Sequence, residues 1–339
     1  MSGRWSSLLS RLERVQPALP WLSLATGVGG ALLMNRTPER AWVVVIAALL
    51  AWALLVGLHL WERVLTERAR RAGVASLRDR GARFALLLTS QLSVQQALLF
   101  PLPFYLRAVT WHVGHVVFLV VYAAALVAAL WDPLYAAVTK RALTSFPLFS
   151  FAIFAGLAVV LPMLGLSNRL ALIVAGAATT VGVPALLWLR AGSRWLRIGA
   201  VCAALPAAGL SLVAAPLVPP APLELVTAAI GTGVVERELV GAGAPLLHPI
   251  ELYCHTAVKA PLGLHDGLFH VWTRDGKLLD RVALDVRGGR ADGFRTWSKK
   301  RTPGPGDYRC QVQTASGQVL GGTDAAVRAT APPPAAAPR

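Results

Sequence analysis

VGHVVFLVVYAAALVAALW, residues 113–131, contains no Asp, Glu, Lys or Arg. As a helix it would extend about 28 Å at 1.5 Å per residue, close to the thickness of a bilayer's hydrocarbon core. On either side of it, apolar runs recur between Leu19 and Leu223, and the pattern stops near Glu224. Read as spans, these runs are 18–34, 42–61, 84–106, 113–131, 148–166, 170–189 and 198–218. The expected fold class is a membrane all-α helical bundle of about seven transmembrane helices, followed by a small antiparallel all-β sandwich of immunoglobulin type. Expected boundaries are 1–17 for a cytoplasmic interfacial segment, 18–223 for the bundle, 224–246 for a linker or an edge strand, 247–324 for the soluble β-domain and 325–339 for a disordered Pro/Ala tail.

Composition agrees with a chain that avoids water over much of its length. Charged residues make up 15% and apolar ones 55%, with a mean hydropathy of +0.55. A soluble domain carries about 25% charged residues. The net charge of +16 sits mainly in residues 1–223, which hold 19 Lys/Arg against 6 Asp/Glu. Residues 224–321 are nearly balanced, 12 against 10. The excess falls in short connecting loops, as the positive-inside rule expects, so nucleic acid is excluded as a partner. With the N-terminus in the cytoplasm, 15 basic residues fall inside and four outside (Arg36, Arg40, Arg107 and Arg169). That orientation places the C-terminal domain outside the cytoplasm. The opening MSGRWSSLLSRLERVQ lacks the compact apolar run of a cleavable signal peptide. It reads either as an interfacial helix with Trp5, Leu8, Leu9 and Leu12 on one face or as a frayed tail.

Polar residues inside apolar runs need partners. Gln91 and Gln95, one helical turn apart, and the adjacent Gln96 either tie helices together or line a polar path. Pro101 and Pro103 are expected to kink or end that helix. His112 and His115 share a face by their i, i+3 spacing, but no third ligand accompanies them, so no metal is assigned. No convergent set of His, Asp, Glu and Cys appears, so neither catalysis nor a cofactor is expected.

Beyond residue 246 the periodicity changes. Ile250, Leu252, Cys254, Thr256 and Val258 alternate with more polar neighbours. LFHVWTRDGKLLDRVALDV (268–286) reads as strand, Asp-Gly turn and strand; GFRTWSKK (293–300) and GDYRCQVQTASGQVLGG (306–322) supply further strands. Cys254 and Cys310 both fall on the apolar phase, where they either pair or remain buried thiols. The order Cys254, Trp272, Cys310 is compatible with an immunoglobulin-type core. His270 and Trp272 share one strand face, and Arg295, Trp297 and Lys299 alternate with Thr296 and Ser298. These two sets are either a ligand platform, with Lys277 and Ser298 nearby, or core residues beside a solvated edge strand.

One pattern combines H-x-W at His270 and Trp272, the turn Gly276-Lys277, Leu284 and R-T-x-S-K at Arg295, Thr296, Ser298 and Lys299. It continues through Gly306, Tyr308, Arg309 and Gly317, and over residues 250–322 it resembles the bacterial family DUF2914. Tyr308 stands where Trp is more usual in that family, and Gln311 where an apolar residue is. The Q-x-x-x-Q and Leu102-Pro103-Phe104 pieces of the apolar half resemble its companion family, DUF5924. Neither resemblance implies an activity. The apolar spans and the loop-charge bias lead instead to the expectation of a bacterial inner-membrane protein with a periplasmic binding or sensing module. Its partners would be membrane lipids and an envelope glycan, lipid head group or protein. The alternative is a small-solute transporter or channel with its path near Gln91 and Gln95.

Overall fold

The computed structural model describes residues 64, 67, 77–139, 142–190, 213–243, 246–247, 249–260, 265–290 and 292–329. The helices are α1 Leu77–Leu99, α2 Leu102–Ala108, α3 Val113–Leu130, α4 Asp132–Thr139, α5 Ala142–Met163 and α6 Asn168–Arg190. The proline pair divides α1 from α2, because Pro101 and Pro103 cannot donate into a continuing helix. Val94, Leu98, Phe118, Ala155, Val159 and Leu172 form one apolar core among α1, α3, α5 and α6. The rings of Tyr105, Phe118, Tyr122 and Phe151 cluster in it with centroids 4.8–5.8 Å apart. Each buried phenol finds an acceptor: Tyr105 Oη donates to Ala155 O at 3.0 Å, and Tyr122 Oη donates to Leu98 O.

The seven-helix reading does not survive. Among the described residues one helix, Val113–Leu130, is long and apolar enough to cross a membrane. The span expected at 84–106 is broken, and the apolar helical stretches of α5 and α6 shorten to Pro147–Met163 and Asn168–Thr179. The interfacial segment and the spans at 18–34 and 42–61 lie outside the described residues, as does most of 198–218. Where that last span is described, it ends in a 3₁₀ turn, Ala215–Leu217. An apolar run records only what a helix avoids, and a helix buried in a protein core produces the same run as one facing lipid.

The C-terminal domain comprises β1 Glu224–Gly231, β2 Gly233–Val235, β3 Glu238–Val240, β4 Leu246–Leu247, β5 Glu251–Lys259, β6 His265–Arg274, β7 Lys277–Arg287, β8 Phe294–Arg301, β9 Gly306–Thr314 and β10 Val319–Arg328. One sheet runs β1-β5-β8 and the other β4-β10-β9-β6-β7, with β2 and β3 forming a separate hairpin. All pairings are antiparallel except β4 with β10. A disulfide between Cys254 on β5 and Cys310 on β9 joins the two sheets. Trp272 lies beside Cys310 on β6, fully buried. Tyr308, two residues before Cys310, donates its hydroxyl to Gly304 O at 3.0 Å. The inter-sheet disulfide, the buried tryptophan and this tyrosine corner are immunoglobulin-layout features.

Two boundaries need correction. Of the two readings of residues 224–246 the linker falls and the edge strand holds: β1 pairs along β5 at the edge of its sheet, and β2 and β3 also fall there. The expected tail at 325 starts inside β10, which pairs with β9 as far as Val327. The remainder from 330 lies outside the described residues. Small residues such as Thr227, Ala228 and Ala229 blur the alternation that marks a strand, which is why β1 does not stand out in the sequence.

The helical body and the sandwich meet through residues 214–223. Ala215, Val218 and Ala221 belong to the helical core, whereas Leu223 belongs to the β-core. A Cβ on Gly114 would come within 3.2 Å of Leu217 Cα and Pro216 O, so glycine permits this close approach of α3. Gln318, in the β9–β10 turn, donates to Val218 O at 2.8 Å and accepts from the Asn168 side chain at the start of α6.

Candidate functional site

The residues proposed for a ligand platform separate into two groups. His270, Trp272 and Ser298 are core residues, 0%, 0% and 5% exposed. His270 Nδ1 lies 2.7 Å from Ser298 Oγ, and its Nε2 lies 2.8 Å from Thr256 Oγ1. Trp272 Nε1 donates to Ser298 Oγ at 2.8 Å. Either neutral tautomer satisfies all three contacts: Ser298 donates to Nδ1 while Nε2–H donates to Thr256, or Nδ1–H donates to Ser298 while Thr256 donates to Nε2. The imidazole is neutral. Burial holds its pKa down, to about 4, with repulsion from His255 adding to the effect. The node thus ties the two sheets together beside the disulfide. Ser298 is buried and already accepts from Trp272, so it is no exposed nucleophile. Cys254, His270 and Cys310 bring their ligand-type atoms within 4.8 Å of one another, but the two sulfurs are bonded to each other.

Ser298→Ala should lower sandwich stability by about 2 kcal/mol, because it strands the Trp272 N–H and one His270 nitrogen in the interior. Denaturant unfolding of the full chain measures this. The pH dependence follows from the same node. An unfolded histidine titrates near 6.5, so between about pH 6.5 and 4 the unfolded chain binds the proton that folded His270 refuses. The stability is fully present above 6.5 and falls by up to about 3 kcal/mol as pH drops to 4. Unfolding midpoints across that range should show the slope, and His270→Gln should flatten it.

The second group lies on the outer face of the three-stranded sheet. Arg295, Trp297 and Lys299 are exposed there. Their cations are already neutralised: Arg295 pairs with Glu238 of the β2–β3 hairpin, and Lys299 pairs with Glu251 at 3.0 Å. Glu251 also accepts from Tyr253 Oη at 2.5 Å; this bond, and then the Lys299 contact, hold its carboxyl below the usual range. The hairpin covers His255, whose Nε2 lies 3.1 Å from Arg237 O. Lys277 stands apart, exposed at the β6–β7 turn. Of the expected platform, only Trp297 and its two paired neighbours share an exposed face.

In the helical body the glutamines tie helices together. Gln91 Nε2 donates to Ala129 O at 3.1 Å and to Asp132 Oδ1 at 2.7 Å, and Gln95 Nε2 donates to Ala129 O at 2.9 Å. Gln96 is half-buried. His115 Nδ1 accepts from the Thr110 backbone at 3.0 Å, and His112 caps α3 through Gly114 N at 3.3 Å. The two histidines hold the start of α3 in place. Sequence reasoning missed Asp132, Thr256 and the tyrosine corner; only the last had a local signal, the two-residue spacing of Tyr308 and Cys310.

The outward face of α3 is the least ordinary surface among the described residues. Its inner side buries Gly114, His115, Phe118, Tyr122 and Ala129. Its outer side exposes Val113, Val116, Val117, Val120, Val121 and Val127. The helix has a mean hydropathy of 2.4, yet only 28% of it is buried. Trp111, 89% exposed, and Trp131, 59% exposed, bracket it. A soluble protein normally turns such a face inward, and a contiguous apolar patch marks an interaction surface.

A model of the family of unknown function DUF5924 matches residues 1–243, well over half of the chain. The chain belongs to that family. A second model, for the proteins of unknown function DUF2914, matches residues 265–324. A search of curated proteins finds no match. Both resemblances drawn from the sequence are therefore shown, the second beginning at 265 instead of 250. The two matches share one sandwich. β1, β2 and β3 lie inside the DUF5924 match, and β7, β8 and β9 lie inside the DUF2914 match.

Proposed function

We propose that this DUF5924 protein is anchored in a membrane through α3 and carries its β-sandwich outside the cytoplasm as a binding module. The exposed valine face carries the reading. It is about 27 Å long, free of ionisable groups on its outer side, and ends in tryptophans, the residues that favour the membrane–water boundary. The disulfide supports an oxidising compartment, the periplasm of a bacterial cell. The binding surface is the outer sheet face around Trp297. Because its flanking cations are already paired, stacking of a neutral sugar ring is favoured there over capture of an anion. Gln91 and Gln95 both donate to the end of α3, and Gln91 also to Asp132, which favours helix ties over a solute path beside them.

A reporter active only in an oxidising compartment, fused after Ala329 so that β10 stays whole, should be active. A cytoplasm-only reporter at that site should be silent. The reverse pattern rejects the placement. For the anchor, Val117→Lys with Val120→Lys should move the chain out of the carbonate-resistant membrane fraction, because each lysine at mid-helix costs about 3 kcal/mol in lipid. Unchanged fractionation would refute lipid contact along this face.

A further inference from the structure

The valine face has two ends, and they differ. The end nearer the sandwich carries Leu106, Arg107 and Trp111, all exposed. Gly114, next along, packs on Leu217 and Pro216. Arg169 and Leu170, also exposed, follow Asn168, whose side chain meets Gln318 of the sandwich. Arg107 and Arg169 therefore stand at the same junction, each beside an exposed leucine. Neither has an ionic partner among the described residues. In the sandwich Arg295, Lys299, Lys300, Arg309 and Arg328 hold carboxylates, whereas Lys277 at the β6–β7 turn holds none among the described residues.

Resting on the anchoring reading, we propose that Arg107, Trp111 and Arg169 form a contact site for an anionic phospholipid head group. The acyl chains would lie against the valine face and the phosphate would meet the two guanidiniums. The chemistry is that of a boundary lipid: an amphipathic indole at the glycerol level, cations at the phosphate level and apolar side chains beneath. Each arginine near an anionic surface contributes about fivefold in preference. Salt should weaken this part alone.

The test reconstitutes the full chain in phosphatidylcholine vesicles containing brominated phosphatidylglycerol or brominated phosphatidylcholine at equal mole fraction. The Trp111 signal is the difference between wild type and Trp111→Phe. Quenching by the phosphatidylglycerol should exceed that by the phosphatidylcholine about fivefold or more. Arg107→Gln with Arg169→Gln should bring the two to equality, while Arg309→Gln leaves the preference intact. Equal quenching in the wild type, or a preference that survives the double variant, overturns the proposal and leaves the anchor standing. Loss of the preference on adding excess inorganic phosphate alone, at constant ionic strength, marks a general anion site and likewise overturns it. Absence of quenching by either lipid rejects the anchor itself.

Discussion

Replacing Cys254 and Cys310 together by alanine should lower the stability of the β-sandwich by about 4 kcal/mol. The bridge closes a loop with a sequence separation of 56, and cross-links of that span remove about this much free energy through the unfolded chain's lost entropy. The loss is large against the 5–15 kcal/mol that holds a typical domain folded. Denaturant unfolding of the full chain, oxidised against the double variant, measures it. An unchanged midpoint would mean that the sandwich does not depend on its cross-link. The single variants should be no more stable than the pair, because each leaves a lone buried thiol.

Trp272→Ala should cost a similar amount, about 4 kcal/mol. The indole is completely buried, and its removal leaves a cavity that the two sheets cannot collapse into while the disulfide holds them apart. It also deprives Ser298 of the donor it accepts from. Trp272→Phe keeps most of the volume and loses the hydrogen bond, so it should cost about 1–2 kcal/mol. Trp272 sits opposite Cys310 in the β6–β9 register, so the two lesions should not add. A double-mutant cycle on unfolding free energies reads this coupling. Additive losses would mean that the tryptophan and the disulfide stabilise separate parts of the core.

Legibility in the sequence followed the strength of the local signal. The hairpin at residues 268–286 was readable because Asp275-Gly276 demands positive φ at both positions, and the structure has them at 49° and 76°. β5 was readable from its alternation. β1 was not, because alanine and glycine label neither face. The apolar runs were also visible, but their number was misleading. Residues such as Ala155, Ala158, Ala171 and Ala175 face other helices, and their apolar character reflects protein packing. The glutamines were identified as needing partners; which partners they take could not be read, because Ala129 and Asp132 lie more than thirty positions away.

The candidate site divides along the same line. Period-two alternation placed His270 with Trp272, and Arg295 with Trp297 and Lys299, on common strand faces. It cannot tell which face is inside, and that choice turned one group into a buried tie and left the other at the surface. By itself the sequence determined the two-part organisation, the hairpin turns and the family resemblances, because each rests on neighbours along the chain. Only the tertiary structure decided that the cysteines join two sheets, that a neutral histidine bridges them, that the cations of the platform are already paired and that α3 turns its valines outward. Those outcomes depend on how sheets and helices pack against one another, and the energy of packing belongs to residues that are distant in sequence.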